Sequence, residues 1–214
     1  MPSWSTFAVF VPAALLLLVV PGPAVVYIVT RSVDQGRPAG IASVLGVTTG
    51  SVAHVFAAAL GVSLVLARSA EVFTVMKLAG AAYLVVLGVR RLLTGPSGDV
   101  IAAAREHSLR RLYGQGVVVQ TLNPKVAIFF LAFLPQFVDP TRGAAALQIL
   151  VLGFTFALLG MLSDGTYALL SSSVATRVTA SASIRRRLDR VSGAVYIGLG
   201  VLAAVARRPV ERVT

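Results

Sequence analysis

Residues 6–30 read TFAVFVPAALLLLVVPGPAVVYIVT, a run without a single charge that is interrupted in its second half by Pro21-Gly22-Pro23. A helix that crosses a bilayer needs about 20 mostly apolar residues, so this run is long enough to span. Proline at position i has no N–H for the carbonyl four residues earlier. Pro21 and Pro23 therefore free the carbonyls of Leu17 and Val19, and the span must be broken. No Lys or Arg precedes Arg31, and the apolar run is too long for the h-region of a signal peptide; the segment is expected to be a retained helix.

The rest of the chain continues in the same way. Charge-poor stretches follow at Pro38–Ala67, Val72–Val89, Tyr113–Val138, Gly143–Thr176 and Val191–Ala206, making six expected spans that leave no room for a soluble catalytic domain. Of the 214 residues, 57% are hydrophobic and only 13% charged, and mean hydropathy is +0.86, values that make the bilayer the solvent. Cysteine is absent, which excludes disulfides, thiol nucleophiles and thiolate metal sites. The formal charge of +11 is read as topology-setting loop arginines and not as a nucleic-acid footprint. Arg31, Arg37, Arg90, Arg91, Arg105, Arg110, Arg111, Arg177, Arg185, Arg186, Arg187 and Arg190 collect on one side of six spans, against Arg68, Arg142, Arg207, Arg208 and Arg212 on the other. The first set is expected in the cytoplasm, with both termini outside.

A second proline break, Asn123-Pro124-Lys125, falls in the fourth span. Gly80-Ala81-Ala82-Tyr83-Leu84 in the third span is matched by Gly193-Ala194-Val195-Tyr196-Ile197 in the sixth, and Gly40 and Gly143 open the second and fifth. A basic insert at Ser183–Arg190 accounts for the longer last connection. The order of features is thus the same in both halves, which suggests a duplication. Because three spans per copy is an odd number, the second copy enters the membrane inverted. The expected fold is an all-α integral membrane protein of six transmembrane helices, built as two inverted three-helix repeats with proline-broken first and fourth helices. Residues 1–93 form the first repeat, 94–112 a cytoplasmic linker and 113–214 the second repeat, within one membrane domain.

Paired interrupted helices at matching repeat positions mark the midplane substrate site of many secondary transporters. Unpaired backbone at membrane depth is tolerated only where protein or a water-filled cavity satisfies it, and the half-helix after each break directs N–H groups into that space, a natural ligand for a substrate carboxylate. Ionisable side chains inside spans are costly and are functional candidates by default: His54, Lys125 and Asp164 lie well inside, and Lys77 nearer an end. Lys125 either binds a carboxylate or tethers the carbonyls freed in the other half. Asp164 receives a substrate ammonium, carries a coupling proton, or neutralises Lys125. His54 either couples protons, its ordinary pKa suiting that role, or is a hydrogen-bonded packing residue. Lys77 and Lys125 are the chain's two lysines among nineteen basic residues, so a compact ammonium is wanted there. Gly36, Gly40, Gly46, Gly50 and Gly61 are assigned to close helix packing.

The ordered set of Pro21-Gly22-Pro23, Gly36-Arg37-Pro38-Ala39-Gly40, Lys77-Leu78-Ala79-Gly80-Ala81-Ala82-Tyr83-Leu84, Asn123-Pro124-Lys125 with Phe129-Phe130 and Phe133-Leu134-Pro135-Gln136-Phe137, and the closing Tyr196-Ile197-Gly198-Leu199-Gly200 resembles the lysine exporter superfamily. The nearest branch by these motifs is the homoserine/threonine efflux translocators. This resemblance implies a multi-pass exporter of amino acids or their derivatives in the bacterial plasma membrane, driven by the proton gradient, without a cofactor or a bound metal. It maps the proline-break motifs onto Pro21, Gly22, Pro23, Asn123, Pro124 and Lys125. One departure stands out: members of that branch often carry an acidic residue ahead of the second-helix histidine, whereas Gly50-Ser51-Val52-Ala53-His54 has none. Attention for proton or amine binding therefore shifts to Asp164.

The expected partners are an amino-acid substrate, protons and the lipid bilayer, with assembly into a homo-oligomer left open. Export of a divalent metal or other cation is the alternative, opposed by an intramembrane ligand set of one His and one Asp. An intramembrane enzyme lacks a motif such as His-Glu-x-x-His and a serine with a positioned base. A non-transporting assembly subunit would leave the buried charges and paired breaks unexplained.

Overall fold

The computed structural model describes residues 1–68, 70–93, 107–171 and 182–205. The described residues are mostly helical, with no strand among them. Helix α1 spans Trp4–Val19, α2 Pro23–Arg68, α3 Ala70–Leu93, α4 Leu109–Thr121, α5 Pro124–Ile128, α6 Ala145–Leu170 and α7 Ala182–Val205. Between α5 and α6 come a π-turn at Phe129–Phe133 and 3₁₀ turns at Leu134–Phe137 and Pro140–Arg142.

Both expected proline breaks are present. α1, capped by the Ser3 hydroxyl accepting from the Thr6 N–H, stops at Val19 because the prolines beyond it cannot donate, and α2 begins at Pro23, where a missing N–H costs nothing. α4 stops at Thr121 and α5 starts at Pro124 under an Asn123 cap, with a bend of 47° between the arms. Pro135 then leaves a further gap in the ladder, and the helix opens into the π-turn, with the Gln136 side-chain amide donating to the Ala132 carbonyl at 2.7 Å.

The expected loop ahead of the second span is replaced by one residue. α2 is non-helical only at Gly36 (φ 80°, ψ −178°), a conformation that glycine adopts without a Cβ clash. Residues eight apart in a straight helix lie about 12 Å apart along the axis, yet a Cβ at Gly40 would collide with Ser32; the chain therefore doubles back at Gly36. Arg31, expected among the loop arginines, lies within α2 and is buried, while Arg37 is exposed.

Two helices are long and apolar enough to cross a membrane, α2 over Pro23–Gly61 and α6, and the bent pair Leu109–Thr121 with Pro124–Phe137 makes a third. α1 is a shorter apolar helix. The small-residue expectation holds where backbones touch. A Cβ on Gly46 would strike the Tyr113 carbonyl, one on Gly116 would lie 2.8 Å from the Ser43 carbonyl, and one on Gly50 2.9 Å from that of Val117, so α2 and α4 pack backbone to backbone. Gly88, Gly193 and Gly200 do the same between α3 and α7, whereas nothing lies within 4 Å of a Cβ at Gly61. The basic insert at Ser183–Arg190 belongs to the first turns of α7. Most of the expected linker (94–106), the Lys77 side chain and the end of the sixth span lie outside the described residues.

Two apolar clusters hold the helices together. One gathers Phe10, Leu17, Phe129, Phe130, Phe133 and Phe156 with their neighbours, and its rings pack closely, Phe129 stacking on Phe156 at 4.4 Å. The other is smaller and contains Ala24, Tyr27, Ile28, Val44, Val47 and Ala168.

Candidate functional site

The two breaks face one another across a small cavity lined by Leu18, Gly22, Ala24, Val25, Gln120, Asn123, Lys125, Val126 and Asp164. Of the residues expected to bind substrate, Gly22, Asn123, Lys125 and Asp164 line it, and Pro21, Pro23 and Pro124 shape the backbone beside it. His54 does not line it. The cavity lies where the apolar clusters meet: Leu18 and Val126 belong to the aromatic one and Ala24 to the smaller one. Its free volume for the centre of a water molecule is about 20 Å³, room for a single water and too little for an amino acid.

At each break a freed carbonyl is met by a side chain from the other half of the chain. Tyr167 Oη donates to the Val19 carbonyl at 2.8 Å, the acceptor that Pro23 leaves without an N–H. Lys125 Nζ donates to the next carbonyl, Val20, at 2.7 Å. At the second break, the Gln120 carbonyl accepts from the Asn123 N–H at 3.0 Å and lies 3.1 Å from His54 Nε2; a carbonyl can only accept, so the tautomer with the proton on Nε2 fits. The His54 ring stacks on Phe130. A polar chain continues from there, Asn123 Nδ2 donating to Gln120 Oε1 at 3.2 Å and Gln120 Nε2 to Ser51 Oγ at 2.7 Å. A tether for Lys125 and a hydrogen-bonded packing place for His54, each one of two readings of the sequence, are the arrangements this structure adopts.

Lys125 and Asp164 are each 7% exposed, and the Lys125 charge acts on the Asp164 carboxylate. A cation and an anion thus share one buried chamber. The two helix starts differ. At α5 the Asn123 side chain already takes the Lys125 N–H, and the Asn123 carbonyl takes those of Val126 and Ala127. At α2 the second and third residues, Ala24 and Val25, line the cavity, so the positive end of the longer helix faces it. Sequence reasoning missed Tyr167, Gln120 and Ser51. Tyr167 could have been found from its spacing, three residues beyond Asp164 and so on the same helix face.

Among the described residues no group of three or more His, Asp or Glu side chains could hold a metal ion. The site offers instead a buried ammonium, a buried carboxylate and a helix N-terminus, a set that complements a small zwitterion.

Broken helices around a small cavity that holds a buried ammonium and a buried carboxyl, within an apolar bundle, fit a helical membrane transporter. The chain belongs to the LysE type translocator family, whose model matches residues 15–207. It is 31% identical over 192 residues to the homoserine/homoserine lactone efflux protein of Salmonella typhimurium, covering 90% of this chain and 92% of that one, and equally similar to the protein of that name in Salmonella typhi. An uncharacterized membrane protein of Vibrio cholerae is 29% identical over 91% of this chain and 94% of its own. No solved structure matches significantly.

Proposed function

We propose that this chain exports amino acids or their derivatives from the bacterial cytoplasm in exchange for protons, by alternating access about the cavity between the two breaks. The observation that carries this reading is the burial of Lys125 and Asp164 in one chamber at the paired breaks. Family membership and the efflux relatives point to a solute of homoserine-like chemistry. Homoserine and its lactone share an α-ammonium beside a carbonyl carbon. Asp164 is the partner for the ammonium, and Lys125 with the N-terminus of α2 the partner for the carboxylate or lactone oxygens.

The tether suggests how binding drives opening. A substrate oxygen that takes Lys125 Nζ removes the bond to Val20 O, which braces the first break against α5, and the released arm lets the chamber open. After the ammonium leaves, a proton takes its place on Asp164, and the Lys125 ammonium, released by the substrate oxygen, returns to the Val20 carbonyl. The six-span inverted-repeat reading belongs to this proposal: the two arms of α2 flanking Gly36 count separately, and both termini face outward.

Proteoliposomes containing the purified chain test it. Labelled homoserine, homoserine lactone, threonine and leucine are followed with and without an imposed pH gradient. Gradient-dependent movement of one or more is expected; movement of none, with divalent cations transported instead, overturns the reading.

A further inference from the structure

Away from the cavity, two turns further along α2, Arg31 is only 6% exposed, and its Nε and Nη1 have no hydrogen-bond partner. Buried polar groups are nearly always paired, and a buried guanidinium costs far more than a neutral group when it is not. Its Cζ lies 5.6 Å from the Tyr27 ring centroid, and Tyr27 Oη donates to the Leu112 carbonyl at 2.6 Å, which sets Arg31 against the first turn of α4. One turn on, Gln35 Oε1 accepts from the His107 N–H at 2.9 Å, just ahead of the Ser108 cap, while Gln35 Nε2 is buried without a partner.

The surroundings are donors and positive charge. The first turn of α4 presents N–H groups and the positive end of its dipole, and Ser108 Oγ meets one of them, that of Arg111, at 3.4 Å. His107 is held below its ordinary 6.5 by partial burial and by the charges of Arg111 and Arg31. Asp34, on the same stretch of α2, is exposed, and no carboxylate bonds Arg31 Nε or Nη1. Donors without acceptors, converging on a helix N-terminus beside a buried guanidinium, are complementary to an oxyanion.

We propose that Arg31, Gln35 and the first turn of α4 form a binding site for a small oxyanion, a carboxylate or a phosphate, separate from the central cavity. Two sources carry that chemistry: the carboxylate of a transported amino acid on its way to the cavity, and the phosphate of a lipid headgroup. The first use rests on the exporter reading; the site itself does not.

The test is thermal unfolding of the full chain in lipid-free detergent, with acetate or inorganic phosphate replacing chloride at constant ionic strength. A saturable rise in midpoint is expected for the wild type and its loss in Arg31→Gln. Without oxyanion, Arg31→Gln melts at or above the wild type, because it removes an unpaired buried charge. An unchanged oxyanion response in Arg31→Gln, or a variant less stable than wild type in chloride, overturns the site, the latter by making Arg31 structural. If Arg31→Gln fails to fold, nuclear magnetic resonance of the wild type decides: oxyanion must shift the His107 ring and not His54, and an unmoved His107 refutes the proposal. Phosphatidylglycerol that abolishes the acetate response assigns the site to lipid. Protection by homoserine but not by its lactone, which has no free carboxylate, assigns it to the solute. If no amino acid is exported while the oxyanion response persists, the exporter reading falls and the site stands.

Discussion

Replacing Lys125 by Met tests whether the buried charges act as a unit. The two side chains are nearly equal in length, so the change leaves little cavity and isolates the loss of the ammonium. Its bond to the Val20 carbonyl disappears, leaving a buried acceptor unmet at a cost of about 1–3 kcal/mol. Asp164, buried beside the same cavity, also loses the cation acting on it. The loss of that acceptor's partner corresponds to a fall in melting midpoint of roughly 2–12 °C for a chain of this size. Asp164→Asn on the Lys125→Met background should return part of that loss, since residues that line one cavity and whose charges interact are coupled, by about 0.5–3 kcal/mol. Differential scanning fluorimetry of the four proteins in one detergent, at one scan rate, gives the cycle. Additive midpoint shifts would refute the pairing and with it the shared chamber for a zwitterion. Lys125→Ala and Asp164→Asn should each abolish export while still inserting in the membrane; full transport by both would sink the site assignment.

Gly46→Ala, whose new methyl meets the Tyr113 carbonyl and the Gly116 Cα, should destabilise by about 1–3 kcal/mol, because backbone cannot move aside. Gly61→Ala, with open space around it, should stabilise by up to about 1 kcal/mol through helix propensity, and melting midpoints compare the two. Tyr167→Phe should cost about 0.5–1.5 kcal/mol by removing the bond to the Val19 carbonyl, read in the same melts. His54→Gln should retain gradient-dependent export, and loss of gradient dependence alone would assign proton coupling to His54. His107 should titrate below 6.5 in the folded protein, as followed by ring resonances. With the folded value depressed, the unfolded chain binds the proton more tightly, so stability from this group is complete above 6.5 and falls as pH drops through the folded value.

Both helix breaks were legible because proline chemistry is local: a missing N–H at Pro21, Pro23 or Pro124 acts on a carbonyl four residues away whatever the tertiary structure. The burial of Lys125 and Asp164 followed as directly from the cost of charge at membrane depth. What those side chains touch depends on contacts more than a hundred residues apart in sequence, such as Lys125 with Val20 and Tyr167 with Val19, which no local pattern encodes. Gly36 was legible as a small residue but not as a turn. Flanked by Gln35, Arg37 and Pro38 it resembled the edge of a loop, and only its positive φ turns the chain back on itself. Arg31 was legible as a charge beyond the apolar run but not as a buried helical residue, since it is drawn inside by the reversal that Gly36 makes.

The carbonyls at the breaks also bear on how a duplication could work as a machine. The first break, at Val19 and Val20, is braced by Lys125 and Tyr167 from the second half, and the second break, at Gln120, by His54 from the first. Each expected half thus supplies what the other lacks, although the bracing residues differ in type. A donor shared between a carbonyl and an incoming ligand makes a switchable contact, because a ligand oxygen that takes the donor leaves the carbonyl unmet, and an unmet buried acceptor is too costly to persist without rearrangement or a water. Of the three braces, Lys125 lines the cavity and its ammonium has a competing partner class in the carboxylate of a substrate, whereas the His54 brace lies behind a stacked phenyl ring. Substrate binding should therefore loosen the first break before the second, and hydrogen exchange of the Val26 N–H, which bonds the Gly22 carbonyl, should quicken on adding substrate while the N–H groups of Val126 and Ala127, bonded to the Asn123 carbonyl, keep their protection.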